Sequence, residues 1–430
     1  MLTQIKISNF KSFNNATINL NDFNVLIGAN GSGKSNFMSI FAFLNDIVNK
    51  DLDDAIAIQG GIKYLKNLNN SCDVPLTIEL KANEIFMFPL TKKNEIYHVE
   101  ISDLDYSFQL EFKDNLEDYE IINEEVVLRG IFYKSDVKPR KGFINPDEIK
   151  KKKSGKQYGI EFIMSNSKGN INAELINQDK LPITKEDIIP DSIFNLISTV
   201  TKQHPEMSIL NSPLSDLPIR WSSIFRNITF YDIDPKICKQ HTKISSEKRL
   251  NENGENLAIV VREIMKNDKL KSKFLNLVKD LLPVIQNIDT EQFVDNNSII
   301  FKIIEKYSNK TFIPAGLSSD GTNNLIASII ALYFTKSSLT LIEEPERNIH
   351  PKLISKLVQM MDEASKKKQI IVTTHNPELL KHTDIKNILF ISRDEKGFSN
   401  VLNISESEDV KIFLNEEIGI DDLFIDDLLM

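Results

Sequence analysis

Cysteine is almost missing from this chain: 430 residues hold two, Cys72 and Cys238. Two thiols build neither a zinc cluster nor a disulfide framework, so neither is expected to hold the fold together. A basic excess is missing too. Lys and Arg number 52 against 61 Asp and Glu, a formal charge of -9. That excludes a protein that coats nucleic acid by bulk positive charge and leaves only a local basic surface for such a role. No apolar run reaches the ~18–20 residues of a membrane helix. The start Met1-Leu2-Thr3-Gln4-Ile5-Lys6 carries a charge where a secretory leader is apolar. With so few cysteines, these features point to a cytoplasmic protein without a membrane partner. No heptad pattern lasts the roughly three to four repeats of a coiled coil, which excludes a long-armed architecture. There is no internal repeat. The balance, 41% hydrophobic and 26% charged, is that of an ordinary globular chain.

The first apolar stretches are short and separated by Asn-rich breaks, which reads as strands joined by turns. The buried-looking run Phe23–Ile27 ends in Gly28-Ala29-Asn30-Gly31-Ser32-Gly33-Lys34-Ser35, the P-loop pattern G-x-x-x-x-G-K-[ST]. Phe37, Ile40, Phe41, Leu44 and Val48 follow at helical spacing. Strand, glycine-rich loop and helix are what a phosphate cradle needs, because loop N–H groups and the helix N-terminus both favour an anion. Gly28, Asn30, Gly31, Ser32, Gly33, Lys34, Ser35 and Asn36 are therefore the candidate nucleotide contacts. Lys34 would neutralise the β- and γ-phosphates of ATP and Ser35 would ligate Mg²⁺.

Three further stretches belong to the same chemistry. Leu339–Ile342 is a short apolar strand running into Glu343-Glu344-Pro345-Glu346. We assign Glu343 to the metal and Glu344 to the attacking water. Gln369–Thr373 reads as another strand, followed by His375, placed where open α/β sheets bind ligands. Gly316–Asn324 leads into an apolar helical run, Leu325–Phe334, with Ser319 and Asp320 as its N-cap and Gly321 permitting close backbone approach. By itself this loop is equally well a capped helix.

In this order the motifs resemble the ABC-type ATPase heads of the RecF, SMC and OLD group, and in particular short stand-alone bacterial AAA-family ATPases. The resemblance rests on Ile5–Phe13, Gly28–Ser35, Ser319–Thr322, Ile342–Glu346 with His350-Pro351, and Thr373–Pro377. Leu250–Leu257 and the tail Ile418–Leu429 add to it. The implied fold is α/β: a P-loop NTPase head with a mixed central sheet and an antiparallel β-subdomain, plus an inserted α+β or helical lobe. The implied division is residues 1–100 and 301–430 for the two parts of the head and 101–300 for the lobe. Ser319, Asp320 and Gly321 resemble the signature loop that reaches the γ-phosphate held by the other protomer. Glu344 and His375 would be catalytic, with Ser35, Glu343 and Gln59 at the metal. Gln59 reads equally well as a solvated loop residue, and Lys11 reads as a surface lysine in preference to a nucleotide contact. Asn324 stands where many relatives carry Arg, and Glu343 where most P-loop enzymes carry Asp.

The resemblance further implies an ATP- and Mg²⁺-dependent homodimer or higher oligomer, of the kind found in antiphage systems such as the PtuA-like component of Septu. A separately encoded nuclease or effector would be its partner. The alternative is a repair or recombination ATPase acting on DNA ends or gaps. Lys134–Lys156 is the most basic stretch and reads either as a DNA-phosphate contact or as a solvated insertion. Asp232 and Asp234 read as turn residues. Residues 75–225 read as strand-like pieces between polar loops, and 256–288 as helical, with Pro283 ending that stretch.

Overall fold

The computed structural model describes residues 1–92, 95–113, 118–134, 157–176, 183–216, 221–293, 297–408 and 420–425. Of the basic stretch only Lys134 lies among them, paired with Glu95 at 2.6 Å. The tail that carries part of the resemblance is described only over 420–425. The chain forms two compact units. One holds Met1–Asn21, Ser35–Asn227 and Arg393–Val401, the other Asp22–Lys34, Ile228–Ser392 and Leu402–Met430. These limits differ from a division near residues 100 and 300. The strand Glu95–Phe112 runs unbroken through residue 100.

The first unit is built on a seven-stranded antiparallel sheet. Its order is Phe13–Asn19, Leu2–Phe10, Leu76–Lys92, Glu95–Phe112, Tyr119–Lys134, Gln157–Ser167, Asn170–Ile176. The strands alternate as one-sided sheets do: Leu104, Tyr106, Phe108, Leu110 and Phe112 are buried while their neighbours are not. The helix Lys34–Asn49 buries Phe37, Phe41, Phe43 and Leu44. Phe43 meets Phe108 and Phe10 with ring centroids 6.3 and 6.1 Å apart, so packing of aromatics fixes this helix. A fully buried carboxylate, Glu124, accepts from Tyr106 Oη, Ser208 Oγ and the Ile209 N–H at 3.0, 2.6 and 2.7 Å. It ties the segment at Ser208 to the sheet.

The second unit carries a parallel sheet. Five strands lie in the order Ile388–Arg393, Phe23–Ile27, Gln369–Thr374, Leu339–Glu343, Ile228–Tyr231. Phe23–Ile27 and Gln369–Thr374 are buried throughout, as strands covered on both faces must be. Helices Leu257–Met265, Asp268–Leu281, Asp320–Tyr333 and Pro351–Ser365 contribute to one apolar core with them. Ser298–Glu305 pairs with Thr242–Lys243, Ile285–Phe293 and Phe312–Pro314 in a separate antiparallel sheet. The helical stretch ends just before Pro283, as expected: the helix stops at Leu281 and Ile285 opens a strand. Pro283 removes a backbone donor there, and Ile285 and Ile288 then pair with Glu305 and Ile303.

Lys368 is buried in this unit and donates to the carbonyls of Ala331 and Thr335 at 2.6 and 3.3 Å. Burial pushes its ammonium down to about 8. The folded state therefore releases this proton before the unfolded state does, and stability should rise with pH from about 8 towards the ordinary lysine value. Thermal midpoints across this range should climb in the native chain, and Lys368→Met should flatten the climb.

Candidate functional site

Register places the chemistry. Glu343 pairs with Thr373, and Thr374 pairs with Ile27. Three parallel strands therefore end at one level, and the loops that leave them begin with Gly28, Glu344 and His375. Gly28 follows its strand so closely against the next that a Cβ would lie 2.1 Å from the Ile391 carbonyl oxygen. Only glycine fits there. Lys34 Nζ donates to the Gly28 and Ala29 carbonyls at 2.7 and 3.0 Å. Burial lowers its pKa, and the charges of Glu344 and Glu343 oppose that shift.

Glu343 is half-buried, and its carboxyl is pushed upward by burial first and then by Asp232 and Glu344. Glu344 has φ 43°, in the left-handed region, held by its N–H donating to the Thr373 carbonyl at 2.9 Å. Such strain persists only where surrounding contacts enforce it, and it is common at functional sites. Glu344 Oε1 lies 2.7 Å from His375 Nδ1. A carboxylate only accepts, so His375 carries its proton on Nδ1 in this arrangement. Glu344 Oε2 accepts from Arg347 Nη2 and Nε at 3.2 and 3.4 Å. Arg347 Nη1 in turn meets Asp232 Oδ1 at 3.0 Å.

Glu346 faces inward and is 5% exposed. Thr374 Oγ1 donates to its Oε1, Oε2 has no hydrogen-bond partner among the described residues, and burial raises its pKa.

The signature-like loop sits in the same unit. Ser319 Oγ accepts from the Thr322 N–H at 3.1 Å, capping the helix Asp320–Tyr333. Asp320 pairs with Lys239 Nζ at 2.5 Å. A Cβ on Gly321 would stand 2.4 Å from the Asn348 carbonyl oxygen. Asn324, buried, donates to the carbonyls of Pro345 and Arg347 at 3.2 and 2.7 Å. The helix behind the loop is thus bonded to the turn that carries Glu344.

Ser35, Asn36 and Gln59 fall in the other unit. Ser35 is exposed. The Asn36 amide donates to Ser12 Oγ at 2.8 Å. Gln59 ends the helix Leu52–Ile58 and lines a cavity of about 400 Å³ with Lys11, Asn36, Lys66 and Arg393. The backbone there is held by Asn9, which is fully buried. Its Oδ1 accepts from the Asn67 N–H and Asn70 Nδ2 at 3.1 and 3.0 Å.

No group of three or more His, Cys, Asp and Glu suited to a metal ion occurs among the described residues. A P-loop Mg²⁺ does not need one, since phosphates, a Ser or Thr hydroxyl and water supply most of its oxygens. The crowding of Asp232 and Glu344 on Glu343 is the donor chemistry a hard dication would relieve.

The parallel strands, the glycine-rich loop with Lys34, and the acidic strand end define a P-loop nucleotide-binding fold of mixed α/β class. The chain belongs to the family described as "AAA domain, putative AbiEii toxin, Type IV TA system", which it matches over residues 23–381. It is also similar to "Uncharacterized protein 050L" of Invertebrate iridescent virus 6, with 26% identity over 318 residues. That match covers 70% of this chain and 25% of the other. The chain therefore spans about a quarter of the length of that curated relative. Among solved structures it is similar to an SMC head domain from Thermotoga maritima. The identity is 14%, the TM-score 0.37, and the cover 93% of this chain and 98% of that one. It is likewise similar to an Smc head domain with an extended coiled coil bound to the C-terminal domain of ScpA, derived from Pyrococcus furiosus. There the identity is 14%, the TM-score 0.42, and the cover 97% and 99%. No described helix is long and apolar enough to cross a membrane.

Arg347, Asp232, Asn324 and Glu346 were not candidates from the sequence. Arg347 stands three residues after Glu344, a spacing that brings the two together in a tight turn. Asp232 announces itself only once the strand Ile228–Tyr231 is known to lie beside Leu339–Glu343.

Two expectations follow. Asn324→Ala strips one buried and one half-buried carbonyl of their donor and should cost about 1–3 kcal/mol, read by chemical denaturation. Glu346 has a raised pKa in the fold, so its contribution is fully present below the ordinary glutamate value and lost as pH rises through the raised one. Glu346→Gln should therefore raise the thermal midpoint near pH 8, and the gain should vanish in acid.

Proposed function

We propose that this chain binds Mg-ATP at the strand edge of Gly28–Lys34, Glu343, Glu344 and His375 and hydrolyses it. The observation that carries the reading is the shared edge itself: ammonium, paired carboxylates and imidazole come from three strands that end level. Lys34 neutralises the outer phosphates, exchanging its bonds to the Gly28 and Ala29 carbonyls for bonds to phosphate oxygens. Glu343 is the proposed metal contact at this edge. Mg²⁺, when bound there, would supply charge neutralisation to the phosphates. Glu344 takes the proton of the attacking water. His375 holds its Nδ1 proton on Glu344 Oε1. To give a hydrogen bond to phosphate it must leave Glu344 or carry a second proton, and either event reports nucleotide to the base.

The same reading makes Ser319, Asp320 and Gly321 the surface that meets the nucleotide of a second copy, so that ATP closes a dimer and hydrolysis opens it. Ser319 is exposed at the N-terminus of a 14-residue helix, the polarity an anion seeks. We propose that the chain is an antiphage defence ATPase that acts with a separately encoded nuclease or toxin; the family it matches is described as a putative toxin of a type IV TA system.

Lys34→Ala should abolish ATP binding in equilibrium titrations. Glu344→Gln should bind ATP normally and lower turnover by about 10²-fold or more, accumulating dimer in light scattering. Rapid phosphate release by Glu344→Gln would remove Glu344 as the base.

A further inference from the structure

Arg347 has no place in the chemistry above, yet its guanidinium meets two carboxylates at the strand edge. Nη2 and Nε both face Glu344 Oε2, and Nη1 faces Asp232 Oδ1. We propose that Arg347, anchored by Asp232, is a positioning residue. It fixes Glu344 Oε2 and leaves Oε1 as the oxygen that receives the proton of the attacking water. The proposal rests on Glu344 being the base.

The anchoring is redundant, as a strut requires. The Arg347 carbonyl accepts from Asn324 Nδ2 at 2.7 Å, and its N–H donates to the Glu344 carbonyl at 3.0 Å. Asp232 is fixed as well, its N–H donating to the Glu252 carbonyl at 3.1 Å. Both ends of the guanidinium therefore lean on immobilised backbone. A glutamate side chain otherwise samples many rotamers, and a base must be within hydrogen-bond reach of its proton in one of them. The two oxygens of Glu344 differ in what holds them. Oε2 is held by Arg347, whose planar fork spans two carboxylates at once. Oε1 is held by His375, whose side chain is 54% exposed and free to turn towards arriving phosphate. Release of Oε1 with retention of Oε2 leaves a single oriented lone-pair set for water.

A purely structural role predicts something else. Arg347 and Asp232 are 37% and 50% exposed, and ion pairs this open add little to stability. Their loss should leave folding nearly untouched and should appear in turnover.

The test is steady-state Mg-ATP hydrolysis by the full chain, with ATP affinity measured separately. Arg347→Ala should lower kcat about tenfold with KM changed less than about threefold, as expected when a reacting group is misplaced rather than substrate binding lost. Arg347→Lys keeps the charge but cannot span both carboxylates, so its kcat should fall between the two. Asp232→Asn should lower kcat by a smaller factor, and adding it to Arg347→Ala should lower kcat no further. Wild-type kcat in Arg347→Ala, a loss confined to KM, or full multiplication of the two effects would overturn the proposal. Should Arg347→Ala fail to fold, Arg347→Lys and Asp232→Asn decide the matter by the same kcat criterion. Glu344→Gln separates the layers. If it turns over slowly while Arg347→Ala is normal, only the strut fails. If it turns over at the wild-type rate, the base assignment fails and the strut with it.

Discussion

The register of three parallel strands governs everything at the site. Glu343 opposite Thr373 and Thr374 opposite Ile27 set the strand ends level, and a shift of one residue would turn every side chain on a strand to the other face. Parallel pairing joins segments far apart in the chain, and only such pairing brings the loop after Ile27 together with the turns after Glu343 and Thr374. The apolar content of these strands is the driving force, since each is buried nearly end to end.

From that edge the constraints pass outward through backbone bonds. Glu344 is forced to positive φ where the chain leaves the strand, and the turn that follows is braced by Asn324 from the neighbouring helix. Gly321 lets that helix approach the carbonyl of Asn348. A displacement of the Ser319–Gly321 loop is therefore mechanically connected to the backbone of Arg347, and through its side chain to Glu344. Hydrogen bonds thus join the loop at one end of this helix to the turn whose side chains hold the Glu344 carboxylate.

Much of this was legible in the sequence. The P-loop strand, the helix behind it, the acidic strand end and the strand before His375 all appear where apolar runs and punctuation put them. What escaped detection lies in contacts between elements. Asp232 reads as a turn residue because its partner, Arg347, is far away in sequence. Asn324 reads as a substitution at a position where relatives carry Arg, and only the structure shows its amide serving two carbonyls. Glu346 reads as one acid in an acidic run although it points into the protein. Pro283 marks the end of the helical stretch, but that Ile285 opens a strand is decided only by its pairing with Ser298–Glu305.

The central claim is that Lys34, Glu344 and His375 act on one triphosphate at one strand edge. A crystal structure of the chain with Mg²⁺ and a slowly hydrolysed ATP analogue tests it most directly. The account predicts phosphate oxygens on Lys34 Nζ, His375 turned from Glu344 Oε1 towards the γ-phosphate, and Oε1 facing a water beside that phosphate. A triphosphate bound away from Lys34, or bound there with Glu344 directed away from it, would contradict the account.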